Sequence, residues 1–149
     1  MEKTNACRIL DKLNIKYELK TKEEVEKDDD LISNSLIFKT LVTLSNTNEY
    51  FVFIVPLDLT LDLKKAAKAV KVKSIEMIPQ KNLLPLTGYV HGGCSPIGMK
   101  KEFVTVIDNY ASICDRICIS AGDINYRLII NPNDLFKVLK NIKYEEISK

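Results

Sequence analysis

The sequence predicts a single α+β domain of mixed α/β character, and three observations support this. LIFKTLVTLS (36–45) and YFVFIVP (50–56) are rich in β-branched and aromatic residues, and NTNE (46–49) supplies turn residues between them. Elsewhere apolar residues recur at helical spacing, as in Ala6, Ile9, Leu10 and Leu13. Strand-like and helix-like segments interleave without a repeat or linker over 149 residues, a length that suits one core. The domain is expected to span 1–149.

Taken in order, the chain opens with a short helix and continues into IKYEL (15–19), which alternates as a half-buried strand does. TKEEVEKDDD (21–30), with six acids against two lysines, reads as a loop or weak helix. After the hairpin, a basic helix follows Leu61, and VKSIEMI (72–78) resembles another strand. Residues 83–88 close a short helix or turn. FVTVIDNY (103–110), RICIS (116–120) and YRLIIN (126–131) are three further strands. Pro132 suits a first helical turn, so NPNDLFKVLKNI (131–142) reads as a final amphipathic helix.

Composition narrows the function classes. With 46% hydrophobic and 28% charged residues the chain is neither a disordered tail nor a low-complexity scaffold. No apolar run approaches the roughly 20 residues that cross a bilayer; the longest, FVFIVPL (51–57), suits a buried strand. The first residues, MEKTNACRILDKLN, lack the apolar stretch of a signal peptide, so a cytoplasmic protein is expected. Cys7, Cys94, Cys114 and Cys118 contain no CxxC pair and His91 is the single histidine, which argues for free thiols and against a metal site.

Three local features invite chemistry, and each has a plain alternative. KKAAKAVKVK (64–73) carries five lysines and no acid. On a helix Lys64, Lys68 and Lys71 share one face, as either a solvated surface or a phosphate-contacting stripe. Lys39 interrupts an apolar strand, either as an edge lysine that discourages aggregation or as a head reaching water or an anion. YVHGGCSPIGMKK (89–101) places three of the five glycines within seven residues. It is either a corner between strands or a loop whose backbone N–H groups near Gly92–Cys94 form a concave donor site.

FKTLV (38–42), GGCSPIGMKK (92–101) and ISAG…LIINPNDL (119–135) occur together and in order, and on them the chain resembles the YbaK/EbsC family. Those proteins are aminoacyl-tRNA deacylases related to the editing domain of prolyl-tRNA synthetase. The resemblance implies a central barrel-like mixed sheet flanked by helices and no cofactor. It makes Lys39 the essential lysine, and it places the GxxxP loop on Gly92–Pro96, so Lys39, Gly92, Gly93, Cys94 and Pro96 form the expected catalytic set. Thr40, His91, Ser95, Ser120 and Gly122 are the expected substrate-binding residues. Lys64, Lys68 and Lys71, with Lys100 and Lys101 nearer the acceptor end, are the expected tRNA contacts. The implied partners are the acceptor end of aminoacyl-tRNA and prolyl-tRNA synthetase. Two departures stand out: AGDINYR follows the serine–glycine turn where relatives are rich in glycine and lysine, and Lys22 lies where an aromatic residue is common.

The chemistry that fits is ester cleavage. A carbonyl oxygen that becomes negative needs donors placed in advance, and the Gly92–Cys94 backbone is the expected source. A lysine needs strong desolvation to act as a base at neutral pH, so Lys39 suits holding a phosphate or orienting the ester. Cys94 has no evident base partner. In the YbaK branch the nucleophile is the substrate's own thiol, implying Cys-tRNA(Pro) as substrate. The alternatives are Ala-tRNA(Pro) with a water nucleophile, or a module that binds tRNA or a synthetase without catalysis.

Overall fold

A computed structural model describes residues 3–149 and has two sheets. The elements run α1 (Asn5–Lys12), β1 (Glu18–Thr21), α2 (Lys22–Glu26), α3 (Asp29–Ser33), β2 (Phe38–Ser45), β3 (Tyr50–Pro56) and α4 (Leu63–Ala69). They continue with β4 (Ile75–Met77), α5 (Leu83–Thr87), β5 (Val104–Asp108), β6 (Ile117–Asp123), β7 (Tyr126–Ile130), α6 (Leu135–Val138) and β8 (Ile142–Glu145). One sheet has the order β1-β7-β6 and the other β4-β2-β3-β5-β8. The mixed α/β expectation is met, but the sheet does not close into a barrel. Its two parts meet at a bridge between Ile37 and Cys118, where the Cys118 amide donates to the Leu36 carbonyl at 2.7 Å.

The hairpin forms as read. β2 pairs antiparallel with β3 from Phe38↔Pro56 to Leu44↔Tyr50, and Asn48 takes a positive φ of 65° in the connecting turn. β3 is the middle strand of five and is covered on both faces, which explains its nearly unbroken apolar run. Phe38, Ile54 and Ile107 pack against Ile117, Ile119, Leu128 and the α1 residues Ala6, Cys7 and Leu10. Phe51, Phe53 and Val55 pack against Ala66 and Ala67 of α4.

The acidic decapeptide is more ordered than a loop. Thr21 and Glu24 make a reciprocal capping box that opens α2, and the Asp28 carboxylate accepts the Leu31 amide at 3.1 Å to open α3. Acids are favoured at such helix starts because the amide N–H groups point at them. Buried Val25 and Leu31 fasten both helices down.

Two readings need correction. The final helix does not reach 142: after a 3-10 turn, α6 ends at Val138, and Ile142–Glu145 forms β8 parallel to β5. IKYE alternates here as the same four residues do at 15–18, but it directly follows the helical spacing of NPNDLFKVLKN, and its pairing partner lies almost forty residues upstream. The basic helix also ends early, at Ala69, and Lys71 follows with a φ of 59°. Lys64 and Lys68 therefore share a helix but Lys71 does not continue its face.

Candidate active site

The site forms where the start of β2 approaches β6 and β7. A cleft of about 280 Å³ opens there. It is lined by Lys39, Thr40 and Leu41 of β2, by Leu57 and Leu83, by His91, Gly92 and Cys94 of the glycine loop, and by Ser120 and Arg127. Segments some ninety residues apart thus bring Lys39, Thr40, His91, Gly92, Cys94 and Ser120 to one place.

Strand alternation sets the two walls of β2 apart. Phe38 and Val42 point into the core, whereas Lys39 lies on the opposite face and is only partly buried. Its ammonium donates to the Leu57 carbonyl at 3.4 Å and has no carboxylate within ion-pair distance among the described residues. Next to it, the Thr40 hydroxyl is the one buried side-chain oxygen or nitrogen without a hydrogen-bond partner among the described residues. Leaving such a group unpaired is costly and uncommon, which singles out Thr40 among the residues that line the cleft.

The glycine loop is built to approach closely. Gly92 has a φ of 86° and lets the chain turn so that the Gly93 amide donates to the Val90 carbonyl at 2.9 Å. That bond removes one of the three N–H groups expected for a donor site; those of Gly92 and Cys94 are not used within the loop's backbone. A methyl group on Gly93 would come within 3.1 Å of the Ile124 amide nitrogen, so glycine is what allows the loop to rest on the β6–β7 turn. Tyr89, to which the sequence pattern assigns no role, clasps the loop by donating its hydroxyl to the Ile97 carbonyl.

Cys94 is 8% exposed, and burial pushes its thiol up to about 11. At neutral pH it is a protonated thiol, a poor nucleophile that lines the cleft as a small apolar group. Ser95 faces inward and accepts the Ile97 amide at 3.2 Å. Pro96 lies on the back of the loop, beside a second cavity shared with Ile9, Met99 and Phe103. The Ser120 hydroxyl accepts the Gly122 amide at 3.1 Å, across a bulge that leaves Gly122 outside the cleft lining.

The expected tRNA contacts lie outside the cleft. Lys64 and Lys68 are exposed on α4. Lys100 lays its stem over Gly88 and donates to the Pro85 carbonyl at 3.5 Å, and Lys101 lies at the second cavity. Among the described residues no cluster of His, Cys, Asp or Glu could hold a metal ion, and no helix is long and apolar enough to cross a membrane. Arg127 is a cleft residue that no sequence motif singles out. The signal that finds it is its register position, directly across from Ser120.

Comparison with known proteins fits this geometry. An aminoacyl-tRNA editing domain model matches residues 18–138. The chain is 38% identical, over 99% of its own length and 94% of the relative's, to EbsC of Enterococcus faecalis, a candidate Cys-tRNA(Pro)/Cys-tRNA(Cys) deacylase. Among solved structures it resembles hypothetical protein APE2540, with TM-score 0.83, 20% identity and coverage of 98% of this chain and 100% of the other. It also resembles a candidate trans-editing enzyme for prolyl-tRNA synthetase, with TM-score 0.80, 16% identity and 99% coverage of both chains. Matched by that model over most of its length and 38% identical to a relative over nearly all of it, this chain belongs to the aminoacyl-tRNA editing domain family.

Proposed function

We propose that this protein clears cysteine from Cys-tRNA(Pro) and that the substrate's own thiol is the nucleophile. As a member of the editing family the chain is an aminoacyl-tRNA deacylase. The finer reading rests chiefly on one observation: among the described residues the one thiol lining the cleft is buried and held protonated, and it makes no hydrogen bond to a histidine or carboxylate that could activate it. A site without an activated nucleophile suits a substrate that brings one. The name of the relative from Enterococcus faecalis agrees with cysteine as the amino acid.

In this reading the cysteinyl sulfur attacks its own carbonyl carbon, the carbonyl–ribose oxygen bond breaks, and the ribose hydroxyl leaves with a proton. The sulfur's proton passes to solvent, and the amino acid departs as a strained cyclic thioester that water later opens. The protein's contribution is orientation: holding the two groups together can be worth roughly 7–11 kcal/mol. Lys39 orients the ester, the Gly92 and Cys94 amides face the developing oxyanion, and the Thr40 hydroxyl takes a polar atom of the aminoacyl group. A cleft of about 280 Å³ has room for the terminal residue but not for the tRNA body. Choice of tRNA is therefore assigned to a partner such as prolyl-tRNA synthetase, as the name of the trans-editing neighbour suggests.

The test is a panel of charged tRNAs, following loss of the ester and trapping the released product. Cys-tRNA should be discharged and Ser-tRNA spared, because a hydroxyl is a far weaker nucleophile at neutral pH. Rapid hydrolysis of Ala-tRNA would replace this reading with a water nucleophile. Binding of tRNA without loss of any ester would leave a non-catalytic module.

A further inference from the structure

The cleft's charge pattern is not accounted for by ester cleavage alone. Among the described residues its lining contains three basic side chains, Lys39, His91 and Arg127, and no carboxylate. Lys39 reaches it from the five-stranded sheet and Arg127 from β7 of the three-stranded sheet.

Arg127 is held in an unusual way. Its Nη1 donates to the carbonyls of Ile124 at 2.9 Å, Tyr126 at 3.0 Å and Asp123 at 3.5 Å, which brace one end of the guanidinium on the β6–β7 turn. Nε and Nη2, the two nitrogens that share the side-on edge, make no hydrogen bond among the described residues. No carboxylate there lies within ion-pair distance of the group either. A partly buried guanidinium with a fixed plane and a free edge matches two oxygens of a phosphate, a geometry that a lysine cannot copy.

We propose that Arg127 is a phosphate-binding residue of the cleft, and that it takes the 5′-phosphate of the tRNA's terminal nucleotide. This rests on the deacylase reading, which puts that nucleotide's ribose in the cleft. The nearest anion attached to that ribose is its own 5′-phosphate. Arg127 then anchors the phosphate and leaves Lys39 free to orient the ester, so the two cations have separate roles.

The test uses no ester, so it is independent of whether the protein deacylates anything. Adenosine 5′-monophosphate and adenosine are titrated against the purified protein by calorimetry or NMR. The monophosphate should bind at least about tenfold more tightly, as expected for charged hydrogen bonds to one phosphate. Arg127→Gln should erase that preference while leaving adenosine affinity unchanged, and Arg127→Lys should keep part of it. Equal affinity for the two ligands in the wild-type protein overturns the proposal, and so does an undiminished preference in Arg127→Gln. Should Arg127→Gln not fold, the wild-type comparison and Arg127→Lys decide: full preference in the lysine variant would also overturn the bidentate contact. Inorganic phosphate serves as competitor, and displacement as effective as that by the nucleotide would rule out the nucleotide assignment.

Discussion

The loop that follows α5 has two faces, and they differ in kind. Its front, at Gly92 and Cys94, borders a cleft that among the described residues has three basic side chains and no acid. Its back, at Pro96, Gly98 and Met99, borders a cavity of about 180 Å³ lined mainly by Ile9, Phe103, Val138 and Leu139, where Lys101 is accompanied by Glu102. Both walls come from one short segment, yet only the front leaves charge unbalanced and a buried hydroxyl unpaired. Unbalanced polarity marks the side that meets a ligand, and balanced apolar contact marks the side that holds the loop in place. Changes at the front should alter rate with little effect on stability, and changes at the back should do the reverse.

The largest effect is expected at Lys39. Lys39→Ala should lower kcat/KM for Cys-tRNA at least about a hundredfold, the scale on which loss of one preorganised polar contact acts. Its melting temperature should stay within a few degrees, because the ammonium makes one long hydrogen bond and no ion pair among the described residues. Lys39→Arg should also fail, since a planar fork does not replace a compact ammonium. Full activity in Lys39→Ala would remove this residue from the mechanism and the front–back contrast with it.

Phe103 tests the back. It is buried, lines the rear cavity, and meets Tyr50 edge-on with ring centres 5.9 Å apart. Phe103→Ala should cost about 3–5 kcal/mol in chemical denaturation, while kcat of the folded fraction stays within severalfold of wild type. Gly93→Ala is intermediate, because an added methyl at 3.1 Å from the Ile124 backbone nitrogen forces a small adjustment between the loop and the β6–β7 turn. A drop in kcat/KM of about tenfold with a modest loss of stability is the expected result, read from steady-state kinetics and thermal melts of the same preparation.

Several of these features were legible in the sequence because their causes are local. The β2–β3 hairpin follows from its own turn residues, and the glycine loop from the crowding of Gly92, Gly93 and Gly98. Lys39 was visible as a charge interrupting an otherwise apolar strand. Features set by distant pairing were not legible. β8 exists because β5 offers it an edge, Arg127 reaches the cleft because of its register against Ser120, and Tyr89 matters because it closes on Ile97. Lys71 left the helix face because α4 stops at Ala69, a boundary that a repeating lysine pattern does not reveal.

The smallest and most discriminating effect concerns Cys94. The group lines the cleft yet packs with Val42, Val52, Leu83 and Phe103, so it belongs to both sides of the contrast. If it is packing and not chemistry, and the proposed substrate thiol is the nucleophile, Cys94→Ala keeps most deacylase activity and leaves the dependence of rate on pH unchanged. Its contribution to stability should nevertheless depend on pH. Burial raises the folded thiol from 9.0 to about 11, so the folded state holds its proton where the unfolded chain has released it. The stabilisation is then fully present below about pH 9 and is lost as pH rises toward 11. It amounts to about 2–3 kcal/mol, because each tenfold difference in proton affinity between folded and unfolded chain is worth about 1.4 kcal/mol. Denaturant melts between about pH 8 and 11 should show wild type losing stability faster than Cys94→Ala, since other alkaline groups are common to both. Parallel curves would mean the thiol is not desolvated as the fold requires, and lost activity in a folded Cys94→Ala would move the nucleophile into the protein.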